Sequence, residues 1–185
     1  MKKISIIISL LLSLVTISCS SCAKKTPNAT VPDAAPSAST TVTPVPPPPA
    51  PTTITVKGDS WEFVLPADGW KALNEAPTNS TAFINPTKNN LVVMVSEAFP
   101  GTYDQYVIMA VRGAKDAGAT IKSTKQVEVN GHKFVLIESS KDNISVWMWV
   151  SLVNGQGYTL ACGGPTDPAQ QELCTGIAST LKING

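Results

Sequence analysis

Four cysteines, one histidine and a scatter of carboxylates and tryptophans are the residues of this 185-residue chain that could do chemistry. His132 is the single imidazole. As a general base it needs a nucleophile to deprotonate and a third group to orient it. No G-x-S-x-G or comparable nucleophile motif occurs in the chain. One histidine also cannot build a His-rich metal site. Glu62, Glu75, Glu97, Asp104 and Glu138 are dispersed and form no recognisable acid–base pair, although carboxylates far apart in sequence can meet in a fold. Gly163-Gly164, ahead of Pro165 and a helix start, is expected to be a tight turn and not a phosphate cradle. Trp61, Trp70, Trp147 and Trp149 could line an aromatic groove for a sugar or peptide, but their alternation along strands points to core packing. Trp70, just after the Asp68-Gly69 turn, is the strongest groove candidate of the four. The inventory implies no catalytic residue, no cofactor and no metal.

The N-terminus gives two of the cysteines a different meaning. Met1-Lys2-Lys3 is a short basic segment, and Ile4–Ile17 is an apolar run too short to span a bilayer comfortably. The run ends in Thr16-Ile17-Ser18-Cys19, which resembles the bacterial lipobox, with Thr16 where leucine is usual. The resemblance implies cleavage after residue 18 and diacylglyceryl transfer to the Cys19 thiol; the alternative is an ordinary secretory signal with unmodified cysteines. Each buried lipid methylene contributes about 0.8 kcal/mol, and a single chain holds only marginally. The three acyl chains of a lipobox cysteine give stable anchoring. Ser20 follows, and the lack of Asp there implies, by resemblance to enterobacterial sorting, the outer membrane. Cys22 fits the pattern less well; it is left free, acylated or paired with another chain.

A secreted chain folds in an oxidising compartment, so the second pair, Cys162 and Cys174, is expected to be a disulfide. Free thiols, a redox pair or metal ligands are the alternatives. The spacing is not C-x-x-C, and no second ligand pair accompanies it.

The elements that must position these residues begin after a linker. Residues 26–53 carry nine prolines among Ala, Thr, Ser and Val, a composition that cannot bury a core and reads as an extended tether. The domains expected are therefore a signal peptide over 1–18, a lipidated N-terminus and disordered linker over 19–53, and one globular domain over 54–185. Removing Lys2 and Lys3 with the signal takes the 14 basic residues to 12 against 13 acidic ones, a net charge near −1. No basic cluster follows Lys25, which leaves nucleic-acid binding without an electrostatic basis.

Within the domain, Ser60–Trp70 reads as a strand stopped by Pro66 and turned at Asp68-Gly69; Thr81–Pro86 and Leu91–Phe99 read as further strands. Thr102 with Gln105 makes a T-x-x-Q capping box ahead of a helix whose face is Tyr106, Ala110, Gly113 and Ala117, ended by Gly118. Asn130-Gly131 is a type I′ hairpin signal between two alternating runs. Ile144–Val153 and Gly157–Cys162 pair around Asn154–Gly157, and a last helix starts at Asp167-Pro168 with Leu173, Ile177 and Leu181 as its buried stripe. Ile144–Val153 is apolar on both faces, so both need covering. The expectation is α+β: an antiparallel sheet with helices on both faces.

The F-x-x-P-x-x-x-W element at Phe63–Trp70 and the V-x-V-N-G-x-x hairpin at Val127–Lys133, with the closing helix, resemble the PsbP-like αβα fold over roughly residues 58–183. That group includes photosystem accessory subunits, a small nuclear-GTPase-binding protein and envelope lipoproteins of the DcrB type, most of which act by binding. The resemblance implies a lipid-anchored, non-catalytic binding or assembly module of the bacterial envelope. Its domain would lie in the periplasm beside an envelope protein partner. An envelope hydrolase and a binder of small apolar ligands are the alternatives, the first disfavoured by the missing nucleophile motif.

Overall fold

The computed structural model describes residues 53–73, 76 and 79–184. The expected signal peptide, Cys19, Cys22, Glu75 and the Pro-rich linker up to residue 52 lie outside them, and Thr53 already belongs to the first strand. The strands are β1 (Thr53–Lys57), β2 (Trp61–Pro66), β3 (Lys71–Ala72), β4 (Ser80–Asn85), β5 (Asn90–Ala98), β6 (Thr120–Val129), β7 (His132–Lys141), β8 (Ile144–Val153), β9 (Gln156–Pro165) and β10 (Lys182–Ile183). Helix α1 (Tyr103–Asp116) joins β5 to β6, and α2 (Pro168–Ser179) joins β9 to β10.

Local chemistry sets most of the connections. Strands β6 to β9 run as a meander closed by two-residue turns. Asn130-Gly131 and Asn154-Gly155 both hold positive φ, at 48° and 82° and at 50° and 76°, the conformation that a I′ turn demands. Asp142 opens the β7–β8 turn with φ 53°. The seven-stranded sheet has the order β3-β4-β5-β9-β8-β7-β6, antiparallel throughout.

One face of this sheet is covered by α1, which buries Tyr106, Ala110, Gly113 and Ala114 against Val93, Ile137, Val146, Met148 and Val150. The expected capping box is present. The Gln105 backbone N–H donates to Thr102 Oγ1 at 3.3 Å, and the Thr102 N–H donates to Gln105 Oε1 at 2.9 Å. The opposite face carries Val92, Met94, Phe134, Trp147, Trp149 and Leu160. It is covered by α2 together with a small sheet, β1-β2-β10, that contributes Phe63, Leu65 and Ile183. Helices thus lie on both faces, as both-sided apolarity requires. The small sheet was not foreseen. It exists because Trp61, Phe63 and Leu65 alternate along β2 and need a floor, which α2 alone is too short to be.

Two local expectations are corrected. Gly163 and Gly164 are not a tight turn; they continue β9, Gly163 between Leu91 and Val146 and Gly164 opposite Ser145. Glycine is needed for close approach. A Cβ on Gly164 would lie 2.5 Å from Asn90 Oδ1 and 2.7 Å from Gln170 Cδ, so a side chain there would lift α2 off the sheet. The stripe of α2 is also different. Gln170, Cys174, Ile177 and Ala178 are its buried residues, Leu173 is half-buried, and Leu181 is buried just beyond the helix end. The cap is as expected: Asp167 Oδ1 accepts from the backbone N–H groups of Ala169 and Gln170 at 2.7 and 3.3 Å, with Pro168 in the first turn.

Candidate binding site

Among the described residues, those singled out for chemistry lie apart from one another. Trp61, Trp70, Trp147 and Trp149 are all core residues, none more than 9 % exposed, so Trp70 offers no aromatic platform. His132 opens β7 directly after the hairpin turn, half-buried at the sheet margin. Glu62 lies between Lys182 and Lys57, at 3.0 and 3.1 Å. Those two ammonium groups, Lys182 foremost, hold its carboxyl below the usual carboxylate range. Glu138 pairs with Lys125 at 3.1 Å, Glu97 accepts from the Tyr106 hydroxyl at 3.4 Å, and Asp104 stands in the first turn of α1. These carboxylates sit on separate elements with separate partners. Among the described residues no group of three His, Cys, Asp or Glu side chains converges as metal ligands would.

Cys162 and Cys174 are joined, with their Cα atoms 5.5 Å apart. The bridge ties β9 to the middle of α2 and is fully buried. The Gln170 side-chain amide, itself buried, donates toward Cys174 Sγ at 3.3 Å. This is a staple of helix to sheet with no path to solvent, unlike the exposed, electropositive setting that a reactive cysteine occupies.

Two surface depressions reach about 700 Å³. The first, about 720 Å³, is polar and lies among Asp59, Ser60, Thr81, Ser96, Glu97 and Gln156. Two of its hydroxyls are held by neighbours: Ser60 accepts from Tyr158 at 2.9 Å and Ser96 from Gln156 at 2.9 Å. The second, about 700 Å³, is an open groove between α1 and β6. Its floor is Val107, Val111 and Val135, and its outer lip is Ile108. Ile108 is 65 % exposed, and no other large apolar side chain among the described residues is exposed. Arg112, Lys115 and Lys125 rim the groove, with Asp116 the single acid among the lining residues. Arg112 approaches Asp116 at 3.7 Å, but both are largely exposed, and such a pair is worth little.

The groove opens onto an unpaired strand. β6 ends the sheet order, and no described strand pairs with its outer side. The turn at Asn130-Gly131 closes on the Val129–His132 pair, whose residues are the first and fourth of the turn and so share the turn hydrogen bond. Antiparallel pairs alternate between bonded and non-bonded. Val127 and Lys125 therefore bond inward to β7, and the backbone N–H and C=O of Glu128, Gln126 and Thr124 point outward. Sequence reasoning missed this site. The available signal was Ile108, an isoleucine outside the Tyr106–Ala110–Gly113 face.

No family model matches the chain, and no curated protein matches it. Solved structures do. The solution structure of cyanobacterial PsbP (CyanoP) from Synechocystis sp. PCC 6803 superposes with a TM-score of 0.56 at 15% identity, covering 71% of this chain and 92% of that one. The Saccharomyces cerevisiae Ran-binding protein Mog1p gives 0.53 at 10% identity, covering 71% and 95%. A crystal structure from Bacteroides thetaiotaomicron gives 0.53 at 11% identity, covering 72% of this chain and about half, 48%, of that one. At these identities the likeness is one of fold.

Proposed function

We propose that this chain, whose described domain has the PsbP-like fold, is a lipid-anchored binding or assembly module of the bacterial cell envelope and not an enzyme. The observation that carries the reading is the groove between α1 and β6. An exposed isoleucine, an apolar floor and an open strand edge lie together on one side of an otherwise well-covered sheet. An exposed apolar side chain over an apolar floor, rimmed by charge and open along a strand edge, is an arrangement that an extended docking segment can use. The structural neighbours include one protein described as Ran-binding and a cyanobacterial PsbP, which favours binding over turnover. The buried bridge between Cys162 and Cys174 suits an oxidising compartment. Acylation of Cys19, with the Pro-rich segment as tether, would hold the domain within reach of the outer membrane.

The test is made in the anchored chain. A photo-crosslinking residue at Ile108 should capture a discrete protein, and the same residue at Lys71, remote from the groove, should not. Mass spectrometry of the mature N-terminus should find lipid on Cys19, and Cys19→Ala should leave uncleaved precursor. An unmodified N-terminus at Ser20 or beyond refutes the anchor, and an absence of capture at Ile108 refutes the binding surface. A small apolar ligand is the second reading, favoured by the Val107–Val111–Val135 floor. It predicts that hydrophobic compounds raise the melting temperature while Ile108 captures no protein.

A further inference from the structure

We propose that the partner docks by strand addition. An extended, acidic segment pairs with the outer edge of β6 over Thr124–Glu128 and lays an apolar side chain on Ile108 and Val111. The inference rests on the binding reading above and gives it a mode and a ligand chemistry.

The backbone geometry comes first. Thr124, Gln126 and Glu128 each turn one donor and one acceptor outward, spaced two residues apart, which is the repeat an added strand reads. Glycine and proline are absent from β6, and the stretch from Thr124 to Val129 is regular. The irregularity, a bulge between Ile121 and Ser123, lies at the far end. It limits pairing to the half of the strand that borders the groove. Side-chain placement agrees. Thr124 and Gln126 pair with Ile137 and Val135, which face α1, so they share that face and line the groove. Alternate residues of an added strand would continue the same face and meet the outer side of α1, where Ile108 and Val111 stand.

Charge selects among occupants. Lys122 and Lys125 stand on β6 and Arg112 and Lys115 on α1, against Asp116 in the groove. Two copies of β6 paired antiparallel about Lys125 would set that lysine against its own counterpart. Edge lysines are a device that discourages self-pairing. The same cations attract an acidic strand. Its carboxylates belong at the Thr124 end, beside Arg112 and Lys115 and, on the opposite face, Lys125, which already pairs with Glu138, because Glu128 repels them at the other end. A second copy of the chain is therefore the disfavoured occupant.

The experiment uses the full chain and two synthetic probes: a capped hexapeptide of alternating glutamate and valine, and the same peptide N-methylated at alternate residues. N-methylation removes the edge donors and leaves charge and side chains in place. Strand addition predicts that the unmodified peptide slows hydrogen exchange at the Thr124, Gln126 and Glu128 amides. It predicts little change at Lys125 and Val127, already bonded to β7. The N-methylated peptide should bind at least about tenfold more weakly, roughly 1.4 kcal/mol. Arg112→Glu with Lys115→Glu should weaken the acidic peptide by a similar factor and favour its lysine counterpart. Gln126→Pro, which removes an outward N–H that β7 does not use, should abolish both peptide binding and capture from Ile108. Equal binding of the two peptides, or protection located elsewhere, overturns strand addition, as does failure of the acidic peptide to bind at millimolar concentration. Ile108 capture that survives Gln126→Pro and the charge reversal would overturn this mode and leave the binding module standing. Loss of all Ile108 capture in the unaltered protein would overturn both.

Discussion

Gly157→Ala should destabilise the domain, although its backbone position favours the opposite. Gly157 lies in β9, paired with Leu152 and Glu97, in an ordinary extended conformation that alanine adopts freely. In open space the exchange would stabilise by about 0.4–1 kcal/mol, because alanine has less freedom to lose on folding. Here the space is taken. A Cβ would stand 2.4 Å from Tyr106 Cζ and 2.5 Å from Cε2, well inside contact distance. Tyr106 is 1 % exposed and backed by Phe99, with ring centroids 5.1 Å apart, so its ring has little room to retreat. Retreat would also stretch its hydrogen bonds to Thr159, at 3.2 Å, and Glu97, at 3.4 Å. Overpacking costs about 1–3 kcal/mol, and a weakened hydrogen bond adds about 1 kcal/mol. Less the entropic gain, the net is a loss of about 1–3 kcal/mol. For a domain of this size that lowers the melting temperature by roughly 5–10 °C. Calorimetry or urea unfolding reads the loss, and the background identifies its cause. With Tyr106→Leu in place the same alanine should cost at least about 1 kcal/mol less, a coupling expected only of residues in contact. A rise in melting temperature on Gly157→Ala, or identical costs in both backgrounds, would refute the seating of Tyr106 on β9 and with it the placement of the α1 wall of the groove.

Replacing Cys162 and Cys174 together by alanine opens a loop with a sequence separation of 12; loop entropy alone makes that a loss of about 3 kcal/mol, within a range of about 2–5 kcal/mol. It should appear as a lower urea midpoint with binding intact wherever the domain stays folded, and loss of binding without loss of stability would give the pair a redox role. Burial pushes the Tyr106 hydroxyl well above its ordinary range, with the Thr159 hydrogen bond opposing and Glu97 adding to the rise. The folded state then keeps a proton that the unfolded chain releases near pH 10. Its contribution is complete below that pH and is lost as pH rises beyond it. Tyr106→Phe should therefore flatten the alkaline fall in stability measured by urea midpoints, and an unchanged slope would contradict the burial argument.

Much of the fold was legible because its signals are local. Asn130-Gly131, the Thr102–Gln105 box and Asp167-Pro168 each specify a turn or cap within a few residues, and all occur where their chemistry puts them. The disulfide was legible from the count of cysteines and the expectation of secretion. Less legible were residues whose role depends on a distant neighbour. Asn130 makes its turn, but its side-chain amide also donates to the Ser179 and Leu181 carbonyls at 3.0 and 2.8 Å, closing the end of α2 with the tip of the hairpin. Gly163 and Gly164 look like turn residues in isolation. They are strand residues because Val146, Asn90 and Gln170 press on them from other elements.

The groove depends on the least local decision in the fold. Strand β5, helix α1 and strand β6 follow one another, so a parallel β5–β6 pair with α1 as its crossover was open to the chain. β5 instead pairs antiparallel with β9, and the meander β9-β8-β7-β6 runs out to an edge. The hydropathy of the strands explains the choice. Leu91–Val95 is buried on every side chain, and β8 and β9 are buried almost throughout, so these strands demand neighbours on both edges and cover on both faces. β6 carries only exposed and half-buried residues and has no fully buried one. Placing β6 in the middle would have buried Lys122, Lys125 and Glu128 beside a second strand. Placing β5 at the edge would have exposed Val92 to Val95. The central strands therefore exclude β6, and that exclusion leaves its Thr124–Glu128 backbone and the flank of α1 open together. A substitution that makes β6 apolar on both faces, such as Lys125→Val with Gln126→Ile, should turn this edge toward self-association, visible as dimer or aggregate by light scattering. A chain that stayed monomeric after it would show that charge does not guard this edge.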